Sequence, residues 1–127
     1  MNENMRVLIV DDLARARQSI RALVGTHPAV EALREAVNGR EAIALVESWL
    51  PDAVLMDVCM PDPIGADMNG IEATRKIKAR WPSIKIIVLS MNGDYEAQAL
   101  EAGADAFVNK GEPPARLLQA LDAVAGA

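Results

Sequence analysis

Five times along the chain a short apolar run gives way to a segment whose apolar residues recur every three or four positions. Val7-Leu8-Ile9-Val10 and Ala53-Val54-Leu55-Met56 are continuous runs, and Ile84 to Leu89 is broken only by Lys85, which suits strands buried on both faces of a parallel sheet. Val30 to Val37 has a broken period that a helix could also give, as expected of a half-exposed edge strand; Asp105 to Asn109 supplies a fifth strand. After the first strand, Leu13, Ala16, Ile20, Leu23 and Val24 make a helical stripe with Arg15, Arg17 and Arg21 turned to water, stopped by Gly25 and Pro28. A second helix runs from about Arg40 to Leu50, burying Ile43, Val46, Trp49 and Leu50, and Pro51 ends it. Asn69-Gly70 opens a third, with Ile71, Thr74, Ile77 and Trp81 inward and Pro82 as terminator. Asp94 to Ala102 predicts a short fourth helix whose alanine face packs least firmly; Pro113-Pro114 starts a fifth, with Leu117, Leu118, Leu121 and Val124 as its stripe. Strict alternation implies an α/β domain: a parallel sheet, right-handed crossovers, and helices on both faces.

Composition narrows this picture. The 127 residues suffice for one domain with one core, read here as 1–127. Only 3% of the chain is aromatic, so aliphatic side chains and alanine must fill the interior. A net charge of −5 argues against nucleic-acid binding by this domain, which would need a basic face. The single cysteine, Cys59, excludes an internal disulfide and points to the cytosol. Val7 to Val10 is too short for a signal-peptide core, and no stretch reaches transmembrane length, so no membrane contact is expected.

The chemistry lies where the apolar runs end. Asp11-Asp12, Asp57, Ser90 and Lys110 each follow one directly. In a parallel sheet all strands point the same way, so these groups converge on the carboxyl edge, where open α/β sheets bind ligands. Clustered carboxylates repel, and a hard divalent cation relieves the repulsion. Magnesium suits one or two carboxylates plus phosphate oxygens. A carboxylate can also be a nucleophile toward phosphorus, and phosphoryl transfer needs charge neutralisation and in-line positioning above all. Lys110 offers a point charge for a phosphoryl oxygen, and Ser90 a hydroxyl donor.

These motifs resemble the receiver domains of two-component response regulators. The matching stretches are Val7-Leu8-Ile9-Val10-Asp11-Asp12, Leu55-Met56-Asp57-Val58-Cys59-Met60-Pro61, Met68-Asn69-Gly70, Ile86-Ile87-Val88-Leu89-Ser90 and Gly103-Ala104-Asp105-Ala106-Phe107-Val108-Asn109-Lys110. The resemblance implies a flavodoxin-like, doubly wound five-stranded sheet of order 2-1-3-4-5. It implies that Asp57 accepts a phosphoryl group from a sensor histidine kinase and that Asp12, Asp57 and the backbone carbonyl of Cys59 ligate Mg²⁺, with Asp11 acting through water. Lys110 would pair with Asp57 and then with its phosphate. Ser90 and Phe107 would move together as the switch, repacking the face made by the fourth helix, fifth strand and fifth helix. Homodimerisation on phosphorylation is compatible with the resemblance. Gly111 after the lysine resembles the class bearing a LuxR-type helix-turn-helix domain, in which DNA contact belongs to a C-terminal domain outside these residues. With glycine there, a trans Lys110–Gly111 bond is expected.

The chain departs from the family where Asp62-Pro63-Ile64-Gly65-Ala66-Asp67 separates the Met-Pro pair from Met68-Asn69-Gly70. That insertion reads first as a tolerated surface loop and second as a lid over the acidic site. Plainer readings exist for each residue alone. Asp12 could be a helix N-terminus, Ser90 a cap, Lys110 a solvated charge, Phe107 core, Cys59 a small packed residue beside the site, and Trp49 and Trp81 packing residues. His27, the one histidine, reads as an exposed loop side chain, against a Ser-His-Asp hydrolase. Two rivals remain at this level: a Mg²⁺-dependent phosphohydrolase using an aspartyl phosphate, and a phosphorylation-independent or flavin-binding module of the same fold. Cys59 stands where the first would need a second acid, and no Ser/Thr/Gly-rich loop follows the first strand for the second.

Overall fold

The computed structural model describes residues 4–59 and 69–125. Strands β1 (Met5–Val10), β2 (Val30–Ala36), β3 (Ala53–Asp57), β4 (Lys85–Ser90) and β5 (Ala106–Asn109) alternate with helices α1 (Ala14–Val24), α2 (Gly39–Trp49), α3 (Gly70–Arg80), α4 (Glu96–Glu101) and α5 (Ala115–Ala125). All strand pairs are parallel and the order is β2-β1-β3-β4-β5, as the alternation and the resemblance imply.

The continuous apolar strands bury both faces. Leu8, Val10, Val54, Met56, Ile86 and Val88 pack with Ala42, Val46, Ile71, Ala73 and Ile77, the layer of α2, α3 and α4. Val7, Ile9, Leu55, Ile87 and Leu89 pack with Val24, Leu117, Ala120, Leu121 and Val124, the layer of α1 and α5. β2 is one of the two edge strands and the least buried of the five, which explains its weak periodicity. The alanine-rich fourth helix is shorter than its pattern predicts: Gly93–Tyr95 forms a 3-10 turn, six helical residues follow, and of these Ala99 is buried.

Several predicted positions shift. Leu13 is 62% exposed, because it stands at the N-cap of α1 in extended conformation with its N–H held by Asp11 Oδ1, and so lies off the helical stripe. Leu50 is likewise exposed: the helical period stops at Trp49, and Leu50 is a C-cap with φ 50°, its carbonyl accepting from Arg6 Nη2 at 2.9 Å. His27 is not an exposed loop side chain. Its side chain is buried, Nδ1 accepts from the Ala29 N–H at 3.0 Å, and Nε2 lies 2.6 Å from Asp122 Oδ1, clasping the end of α1 to α5. Arg17, expected to face water, is drawn in by Glu35. Trp49 and Trp81 are half-buried, with Arg34 and Arg80 stacked over their rings at 4.9 and 4.3 Å.

The start of α3 bears directly on the site. Asn69 caps the helix by accepting the Glu72 N–H at 2.9 Å, and the Gly70 N–H donates to the Val58 carbonyl at 2.9 Å. A Cβ at residue 70 would lie 1.9 Å from the Asp57 carbonyl oxygen. Only glycine lets α3 dock this close to the end of β3. The insertion at 62–67 lies outside the described residues.

Two stability changes follow from this backbone. Leu50→Gly removes the cost of a left-handed leucine at little loss of burial, and should raise the unfolding free energy by about 0.5–1 kcal/mol, seen as a higher urea midpoint. Gly70→Ala must push backbone apart, and should cost about 3 kcal/mol in the same measurement; a cost near zero would mean that α3 is not pinned to β3.

Candidate functional site

Strand register sets the site. Val10 pairs with Ala36 on one side and Met56 on the other, Asp57 with Leu89, and Ser90 with Asn109. Backbone bonds extend the ladders past the strand ends: Asp11 N–H to Ala36 at 3.1 Å, Val58 N–H to Leu89 at 3.1 Å, Lys110 N–H to Ser90 at 2.8 Å. The acids, the hydroxyl and the lysine are therefore brought to one rim by main-chain geometry.

Carboxylate oxygens of Asp11, Asp12 and Asp57 all lie within 4.8 Å of one another. Lys110 Nζ bridges two of them, 2.8 Å from Asp11 Oδ2 and 2.8 Å from Asp57 Oδ1. The pairing with Asp57 is the expected one, whereas the pairing with Asp11 is not visible in the sequence. Asp11 is fully buried, its second oxygen accepting the Leu13 N–H at 3.0 Å, so both of its oxygens are committed. Asp12 is half-exposed, and its carboxylate takes no hydrogen bond among the described residues. Ser90 is buried and its hydroxyl accepts the Asn92 N–H at 3.0 Å. Phe107 is buried in the layer that holds Ala99 and Ala102. Cys59 is exposed rather than packed, because β3 and its buried extension stop at Val58. The Lys110–Gly111 bond is trans.

Electrostatics follow from one ammonium among three carboxylates. Burial pushes the Asp57 carboxyl above its ordinary range; the hydrogen bond and charge of Lys110 pull it down, and the charges of Asp11 and Asp12 push it up again. Burial works against the charge on Lys110, but its bonds to Asp11 and Asp57 outweigh that and hold it firmly protonated. At an effective dielectric near 20, two like charges about 5 Å apart repel by roughly 3 kcal/mol. The cluster keeps an excess of negative charge beside Asp12. Its free donors are oxygens, the set a hard cation such as Mg²⁺ prefers.

Sequence reasoning missed Arg17 and Glu35. Arg17 Nη1 donates to the Asp11 backbone carbonyl at 2.8 Å, and Nε donates to Glu35 Oε1 at 2.8 Å. The available signal is weak: Glu35 lies between Arg34 and Ala36 in a strand that also carries Glu31, and a half-buried acid there calls for a cationic partner.

Because Asp57 binds its proton more tightly in the fold than in the unfolded chain, its carboxyl favours the fold at acid pH, and that contribution is lost as pH rises through the raised value. Asp57→Asn carries no charge at any pH. It should therefore raise the thermal midpoint at neutral pH in chelator by a few degrees, the scale of about 1 kcal/mol in a domain this size. Thermal melts at stepwise lower pH should show the advantage shrinking; an advantage that grows toward acid would contradict the shift.

Comparison with known proteins agrees with this geometry. Residues 7–122 match the model of the response regulator receiver domain family. The chain is 34% identical to the transcriptional regulatory protein DegU of Brevibacillus brevis over 98% of its length, and spans about half (52%) of that relative. It is 40% identical to the chemotaxis protein CheY of Thermotoga maritima, covering 94% of this chain and 96% of CheY. Among solved structures, a LuxR-family two-component response regulator from an Aurantimonas species superposes with TM-score 0.88 at 34% identity, over 97% of this chain and 86% of that one. A family match across nearly the whole domain, on a fold with its acids and lysine gathered at one rim, makes this chain a member of the response regulator receiver domain family of two-component systems.

Proposed function

We propose that this receiver domain is a switch operated by phosphorylation of Asp57. The observation that carries the reading is the placement of Lys110 Nζ 2.8 Å from both Asp11 and Asp57, at the centre of the carboxylate cluster. Asp57 spends Oδ1 on the lysine, which leaves its other oxygen as the nucleophile. That oxygen attacks the phosphorus of a phosphohistidine on a sensor kinase. The P–N bond breaks, its electron pair returns to the imidazole, and an acyl phosphate forms on Asp57. Asp12, Asp57 and the Cys59 carbonyl would hold Mg²⁺, with Asp11 reached through water. The bound ion supplies charge neutralisation for the transferring phosphoryl oxygens. Lys110 follows the phosphoryl group from its carboxylate, and Ser90 exchanges its Asn92 contact for a phosphoryl oxygen. Water attack at phosphorus later releases inorganic phosphate and restores the carboxylate.

The response passes through Ser90 to Phe107 and the thinly packed α4, which repacks the face of α4, β5 and α5. The domain catalyses its own phosphorylation and dephosphorylation and is not a metabolic enzyme. Relatives described as transcriptional regulators support an output in transcription, with DNA contacted by another domain. No helix among the described residues is long and apolar enough to cross a membrane; action in the cytoplasm belongs to the same reading. Pairing of two phosphorylated copies belongs to the same reading.

Incubation with acetyl phosphate and Mg²⁺, followed by intact mass, tests this. The wild type should gain one phosphoryl mass, Asp57→Asn none, and chelation should abolish the gain. An unmodified wild type, or a modified Asp57→Asn, would refute it.

A further inference from the structure

Asp11 and Asp12 are adjacent like charges at a strand end, and their turn must hold its shape against repulsion. Asp11 does so with its own side chain, through Lys110 and the Leu13 N–H. Asp12 has no such tether among the described residues, so its direction depends on its backbone. The peptide unit joining Asp11 to Asp12 presents its carbonyl oxygen to Arg17 Nη1 at 2.8 Å. The preceding peptide is held by the Asp11 N–H bond to Ala36. Arg17 is itself seated on β2: Nε donates to Glu35 Oε1 at 2.8 Å, while Glu35 Oε2 accepts from Arg21 Nη1 at 3.0 Å. The Arg17 side chain is 16% exposed, so these bonds compete little with water. A guanidinium is a rigid planar fork that can serve both partners at once, which an ammonium on a flexible stem cannot.

We propose that Arg17, seated on Glu35, is a positioning residue that fixes the Asp11–Asp12 peptide plane and so aims the Asp12 carboxylate at the Mg²⁺ of the phosphotransfer site. This rests on the reading given under Proposed function. Arg17 touches neither metal nor phosphate; it acts through the backbone of the acid turn, and edge strand β2 becomes the frame of that turn.

The test is a Mg²⁺ titration of the whole chain followed by amide NMR shifts, with no phosphodonor present. Arg17→Gln should weaken Mg²⁺ binding about tenfold, the scale expected when support behind a metal ligand is lost. Arg21→Gln is the control: it removes the other bond to Glu35 but not the bond to Asp11, and should bind Mg²⁺ as the wild type does. Arg17→Lys keeps the charge and loses the fork, and should not restore affinity. Wild-type affinity in Arg17→Gln, or full rescue by lysine, would overturn the proposal. Should Arg17→Gln fail to fold, Glu35→Ala decides: weakened binding supports the brace and unchanged binding overturns it. A wild-type chain that takes up no Mg²⁺ overturns the underlying reading as well, and is recognised before any variant is made.

Discussion

The ammonium of Lys110, held between Asp11 and Asp57, is the interaction on which the rest of the arrangement turns. Carboxylates from two strands cannot be gathered this closely in a partly buried site without a cation among them. The lysine is delivered by β5, four strands after β1 in chain order but three steps away in the sheet. Its ammonium therefore closes a ring that the topology alone leaves open. The deficit that remains, with more negative than positive charge at the rim, favours whatever brings positive charge or consumes negative charge. A structural ion pair would have been neutral.

The elements on either side of the sheet are held unequally. α5 is anchored by Leu117, Ala120, Leu121 and Val124, and the His27–Asp122 clasp ties it to the end of α1. On the other side, α4 buries a single alanine among its six helical residues, over the layer that holds Phe107. Displacing α4 therefore meets less resistance than displacing α5.

Much of this was legible from residue order. Runs such as Val7-Leu8-Ile9-Val10 announce strands buried on two faces, and the polar residues that follow them mark the rim, because parallel strands carry their carboxyl ends together. The misreadings share a cause. Periodicity assigns Leu13 and Leu50 to stripes, yet both stand at helix ends, where the backbone leaves the helical path and the period no longer applies. His27 and Arg17 look like surface residues in the sequence because their partners, Asp122 and Glu35, are distant in it, 95 and 18 positions away. Local pattern reports which way a side chain faces but not what waits for it there. The second partner of Lys110, Asp11, was missed for the same reason, being 99 positions away.

The seating of Gly70 against the Asp57 carbonyl bears on how such a domain can diversify. Asn69 and Gly70 work as a fixed landing point: one ends the loop by capping α3, and the other admits the helix into a space with no room for a methyl group. Any change in the length of the preceding segment must then be absorbed upstream of residue 69. The Asp57 carboxylate keeps its address whatever the length of that stretch, because Gly70 is seated directly on its backbone carbonyl.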